Sequence, residues 1–159
     1  MRKTLFTIIM MLITAWVGTA LSADMPKPGD LKEVPLIQEK SVKGDAKGML
    51  VINTANGTDL AIKATGLDPK GLYTVFFVNV QSQMFEGIGT APYVLKVNSK
   101  GEADFQGTMK KNIYKRFVAV GIYLNPDGTP IENPVGVKAA LGSLVEKKIP
   151  KLILQGKLR

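Results

Sequence analysis

Nine consecutive residues, Leu72-Tyr73-Thr74-Val75-Phe76-Phe77-Val78-Asn79-Val80, constrain this chain more than any other segment. Seven of them are aromatic or β-branched, the types that fit a pleated sheet and pack poorly in a helix. The run shows no polar alternation, so it reads as a central strand buried on both faces. Such a strand needs a pairing partner on each side and apolar material above and below it. The chain must therefore build a sizeable β-structure around this one element.

The flanking sequence supplies the partners. Met49-Leu50-Val51-Ile52 and Leu60-Ala61-Ile62 are short β-prone runs on either side of Asn56-Gly57, a pair that tolerates positive φ and marks a tight hairpin. Asn56-Gly57-Thr58 also matches a glycosylation sequon, which the turn explains. Gly66 to Gly71 is a turn. Tyr93, Leu95 and Val97 alternate with polar or neutral residues, Asn98-Ser99-Lys100-Gly101 reverses the chain, and Ala103, Phe105 and Gly107 alternate on the way back. Phe117 to Leu124 is a second strongly apolar strand, closed by Asn125-Pro126-Asp127-Gly128. Val34 to Val42 reads as an edge strand, because Pro35 has no N–H for a ladder. Strands recurring with turn signals between them predict one all-β domain over residues 34–159, an antiparallel immunoglobulin-like β-sandwich. The exception is a helical stripe at Val137, Ala140, Leu141, Leu144 and Val145, with Ser143 and Glu146 at capping-box spacing. It predicts a short C-terminal helical turn, followed by a last strand near Leu152 to Leu158.

The first residues predict export. A basic head (Arg2, Lys3), an apolar run from Leu5 to Val17 and small residues from Gly18 to Ala23 follow the order of a secretory signal peptide. The run falls short of the ~20 residues that span a bilayer. Cleavage is expected after Ala23, with Ala20 or Ser22 as alternative sites, leaving no transmembrane anchor and a periplasmic or extracellular product. Asp24 to Glu33, with two prolines and a glycine, reads as a flexible leader. Loss of Arg2 and Lys3 reduces the 21 basic residues to 19 against 13 acids, a net charge of +6. That surface favours polyanions, and a modest lysine excess also serves solubility alone. The chain has no cysteine, so burial must stabilise an exported domain without disulfides.

Leu67-Asp68-Pro69-Lys70-Gly71-Leu72-Tyr73-Thr74-Val75 resembles the Leu-x-Pro…Tyr-x-Val corner of fibronectin type III and immunoglobulin-like domains. The resemblance implies that Leu67 and the Tyr73 ring fill the core, that Pro69 shapes the turn, and that the tyrosine hydroxyl satisfies backbone in it. The longer pattern from Gly66-Leu67-Asp68-Pro69 through Tyr73–Asn79, Gly87-Ile88-Gly89 and Pro92-Tyr93 is similar to a group of exported bacterial β-sandwich domains with no assigned activity. In that group the segment ending at Asn125-Pro126-Asp127-Gly128 tends to include a histidine; Leu124 precedes Asn125 here. The resemblance implies a fold and a compartment, and supplies no mechanism.

The absence of histidine and cysteine excludes Ser-His-Asp and Cys-His nucleophilic sites, zinc sites with nitrogen or sulfur ligands, blue copper and covalently attached haem. None of Ser41, Ser82, Ser99 and Ser143 has a lysine three residues on. No metal and no cofactor is expected. A glycosidase needs only two carboxylates, but the acids cluster in polar turns, and Glu86 alone sits where burial would raise its pKa. The chain is read as a non-enzyme. Its candidate partner-binding loop is Met84, Phe85, Glu86, Gly87 and Gly89, where apolar residues stand in a glycine-rich segment. Its candidate anion-binding segment is Lys110, Lys111, Lys115 and Arg116, with Tyr114 among them. One tyrosine is no stacking platform, so no nucleic-acid partner is expected. The expected role is a non-catalytic binding or structural module of the cell envelope, contacting an envelope protein. The alternative is docking on anionic polymers or lipid headgroups through Lys110 to Arg116, and a carboxylate-based hydrolase is a distant third.

Overall fold

The computed structural model describes residues 30–82, 84–130 and 150–159. Nine strands run through them: β1 (Leu31–Gln38), β2 (Lys47–Asn53), β3 (Asp59–Thr65), β4 (Leu72–Asn79), β5 (Met84–Gly87), β6 (Val94–Leu95), β7 (Ala103–Thr108), β8 (Ala119–Asn125) and β9 (Lys151–Lys157). One helical turn, α1 (Ile113–Arg116), lies between β7 and β8. No helix among the described residues is long and apolar enough to cross a membrane. The helical stripe expected over 137–146 lies outside the described residues.

All pairings are antiparallel, in the order β5-β4-β8-β9-β1-β2-β3-β7, with β6 sharing the β5 edge of β4. The all-β expectation therefore holds, but the two separate sheets of an immunoglobulin-like sandwich do not form among the described residues. The strands make one continuous, curled sheet. The reason lies in β1, which is a link where an edge was expected. Leu31 to Leu36 pair with β2, while Ile37 and Gln38 pair with β9. Pro35 has no N–H to give β9, and the β9 ladder begins only beyond it. β1 also begins at Leu31, inside the span expected to be leader, because Leu31, Lys32 and Glu33 already oppose Asn53, Ile52 and Val51.

Alternation sends one face of every long strand into a common interior. Val34 and Leu36, Leu50 and Ile52, Ile62 and Ala64, Val75 and Phe77, and Val120 and Ile122 all share this core. A bulge where Tyr123 opposes Leu152, one step past the Ile122–Leu154 pair, lets both Ile153 and Leu154 be buried. β4 is buried on its other face as well. There Phe76 and Val78 join Tyr123, with Phe85, Tyr93 and Leu152 against them. The Phe76 ring meets Tyr93 and Tyr123 edge-on at 5.8 and 6.1 Å, the arrangement that ring quadrupoles favour. The strand buried on both faces was readable directly from its unbroken apolar run.

The two ends of the curled sheet differ. At the end holding the β2–β3 hairpin, the chain after β7 folds in as a plug. Met109 N–H donates to Thr58 O (2.9 Å) and Ile113 N–H to Gly57 O (2.6 Å). The Asn112 side chain accepts from Lys115 N–H at 2.8 Å, capping α1, and donates to Asn56 O at 2.7 Å. Gly57 (φ +67°) is required here, since a Cβ on it would fall 2.3 Å from the Asn112 amide. Ile113, Phe117 and Leu158 are fully buried, and the Phe117 ring lies 6.2 Å from Phe77. The hairpin turn is longer than the two-residue type expected, and Asn56 Oδ1 organises it by accepting Thr58 and Asp59 N–H at 2.9 and 3.2 Å. The opposite end carries the β1–β2 and β3–β4 connections, and among the described residues it has no counterpart of this plug.

Candidate functional site

The segment expected to be a partner-binding loop is a strand. Met84 and Glu86 take one face of β5, and Phe85 and Gly87 the other. Met84 packs against the interior core and Phe85 against the outer aromatic layer. Glu86 Oε2 accepts a 2.6 Å hydrogen bond from Arg116 Nη1, so the acid singled out in the sequence has a cation for its partner. Gly87 lies under the Tyr93 ring, where a Cβ would come within 2.2 Å of the ring carbons. Tyr93 holds φ +59°, a conformation uncommon for an aromatic residue, and thereby seats its ring on Gly87 and Phe76. Gly89 remains exposed, with φ +62°. The loop thus turns its apolar residues into the fold, because pairing with β4 gives each face of β5 a buried neighbour.

The basic segment divides in two. Lys110, Lys111 and Lys115 are exposed and have no ion-pair partner among the described residues. Arg116 is engaged: it bonds Glu86 and lies 5.0 Å from the Phe117 ring centroid. Tyr114 is covered by Lys32, whose Nζ stands 5.3 Å above its ring and donates to Leu158 O at 2.7 Å. The segment is therefore first a structural plug, with three lysines projecting from it.

The corner lies at the open end. Leu67 and Tyr73 are buried, Pro69 is exposed in the turn, and Tyr73 Oη accepts the Asp68 N–H at 2.9 Å. Burial raises the pKa of the Tyr73 phenol, and the Asp68 N–H pulls the other way. Its hydroxyl therefore stays protonated well into the alkaline range. The hydroxyl proton has no acceptor among the described residues.

Beside this corner the sheet leaves a cavity of about 550 Å³, within the usual range of small-molecule sites. Its apolar wall comes from Val42, Ala46, Leu67, Leu124 and Ile153, with the Tyr73 ring. Its polar groups are Ser41, Lys43, Asp68 and Lys151. The wall is fastened in place. The Gln38 side chain donates to Val42 O (2.8 Å) and Gly44 O (3.0 Å) and accepts from Ala46 N–H (2.6 Å), stapling the whole β1–β2 connection. Gly66, at φ +73°, brings the β3–β4 turn against the backbone of Ala46. Asp68 Oδ1 accepts Lys70 N–H at 2.9 Å within its own turn. Sequence reasoning missed this cavity, because its walls come from four segments spread over more than a hundred residues. Tyr73 was the one signal that pointed to it.

Among the described residues no three acidic side chains gather as a metal site would require. Compared with family models, curated proteins and solved structures, the chain matches none of them.

Proposed function

We propose that the chain is a non-catalytic binding module of the cell envelope, exported by its first 23 residues, whose contact site is the open-end cavity in place of the 84–89 segment. The observation that carries this reading is the pre-formed cavity itself: about 550 Å³ with an apolar wall, a few polar groups and a stapled rim. Loops braced on a rigid sheet are where binding sites concentrate. The engagement of Glu86 by Arg116 argues against the carboxylate-hydrolase reading, since that carboxylate holds a structural cation. We also take the curled sheet as a merged form of the immunoglobulin-like sandwich, on the strength of the Tyr73 corner. Native mass spectrometry of protein recovered from its own host tests the reading. A polypeptide beginning near Asp24 and carrying a small-molecule adduct is expected; a cytoplasmic chain retaining Met1, with no adduct, would overturn it.

A second reading, docking on anionic polymers or lipid headgroups, is favoured by one observation. Lys110, Lys111 and Lys115 project from the closed end without acidic partners among the described residues. Such docking would weaken steeply with ionic strength.

A further inference from the structure

The open-end cavity has a chemistry as well as a volume. The apolar residues named above line it, and the charged groups that share the cavity are two cations and one acid. The acid, Asp68, is turned into its own β-turn by the Lys70 N–H. Lys43 and Lys151 both line the cavity, one on the β1–β2 connection and one at the first position of β9. Both are exposed and form no ion pair among the described residues. Tyr73, a residue only 2% exposed, adds a hydroxyl proton with no acceptor among the described residues. A buried donor without an acceptor is a group that a ligand oxygen would satisfy.

We infer that this cavity binds a small anionic amphiphile, a medium-chain carboxylate, with its apolar body along Leu67, Leu124 and Ile153 and its head group between Lys43 and Lys151. The inference rests on the binding-module reading and names the ligand class for it. Neutral amphiphiles would use the wall but not the lysines. Cationic ones would meet two like charges at the opening, a repulsive discrimination built into the same site. The stapled rim keeps the ordering cost of binding low, because the connection that carries Lys43 is already held by Gln38.

The test is calorimetric titration of the purified full-length chain with decanoate, decanol and decyltrimethylammonium, each kept below its micelle concentration. Decanoate should bind saturably and about ten-fold tighter than decanol, the ratio that one charge-assisted hydrogen bond supplies. Decyltrimethylammonium should bind most weakly. K43Q/K151Q, changed at two exposed positions that leave folding intact, should bring decanoate down to the decanol affinity and leave decanol unchanged. Equal affinities for decanoate and decanol in the wild-type chain would overturn the ligand class and leave the cavity a binding site. Undiminished decanoate binding by K43Q/K151Q would remove the head-group assignment. No saturable binding of any of the three would overturn the inference, whereas the binding-module reading would fall only if the host-derived protein also carried no adduct.

Discussion

The two ends of one curled sheet are built from the same kind of strands and finished in opposite ways. At the closed end, the Met109–Phe117 segment folds inward, clamps the β2–β3 hairpin through Asn112 and fills the interior with Ile113 and Phe117. At the open end, the Gln38 staple and the Tyr73 corner brace the β1–β2 and β3–β4 connections, and among the described residues a cavity remains beside them. The difference teaches where stability and function can be separated. At the closed end Asn112, Glu86 and Arg116 serve the fold, and Lys110, Lys111 and Lys115 project without ion-pair partners among the described residues. The open end is held by hydrogen bonds at its rim among the described residues.

The largest effect should come from breaking the closed end. Phe117→Ala removes a fully buried ring that packs on Phe77 and should cost about 3–5 kcal/mol, the range for a large-to-small core change. Denaturant unfolding measures it. At the open end, Tyr73→Phe keeps the ring and deletes the oxygen that Asp68 N–H bonds, with an expected loss of about 1–3 kcal/mol. An unchanged midpoint would show that the corner hydroxyl does not contribute to stability.

Burial also raises the pKa of the Tyr73 and Tyr123 phenols, so the folded chain resists their ionisation. Both groups stay protonated in either state below the unfolded value of about 10. Their contribution is therefore whole in that range and is lost as pH rises from there through the folded values. Tyr123→Phe should flatten this alkaline decline while leaving the neutral-pH ligand affinity unchanged.

How much of this contrast could be read without coordinates follows from the range of each interaction. The unbroken apolar run of β4 and the alternation in β2, β3 and β7 are local, and the pattern alone locates the strands. The corner is local too, since Leu67, Pro69 and Tyr73 lie within seven residues. The role of β1 was not legible, because Pro35 excludes a ladder on one side only, and the sequence does not say which strand lies there. The Glu86–Arg116 pair joins positions 30 apart, which no spacing rule connects. α1 escaped notice because four residues carry too little periodicity to register; Asn112, a good cap residue, was its one signal. The cavity is least local of all, and composition is blind to it.

Smaller effects sharpen the comparison. Glu86→Gln should leave Arg116 without its carboxylate beside Phe117, at a cost of about 1 kcal/mol, with less dependence of stability on salt than the wild-type chain shows. Lys110→Ser with Lys111→Ser should change stability by less than about 0.5 kcal/mol, as at ordinary surface sites. On the docking reading the same pair would release the protein from anionic vesicles at low salt, and retention equal to wild type would confine those lysines to solubility.

The most direct test of the two-ended account is a map of backbone amide chemical-shift changes as decanoate is added to the isotope-labelled full-length chain. Saturable changes confined to residues 41–46, 66–73, 124 and 151–153, with 109–117 unmoved, are the predicted result. Changes centred on 109–117, or spread evenly over both ends, would contradict the claim that the closed end is structural and the open end binds.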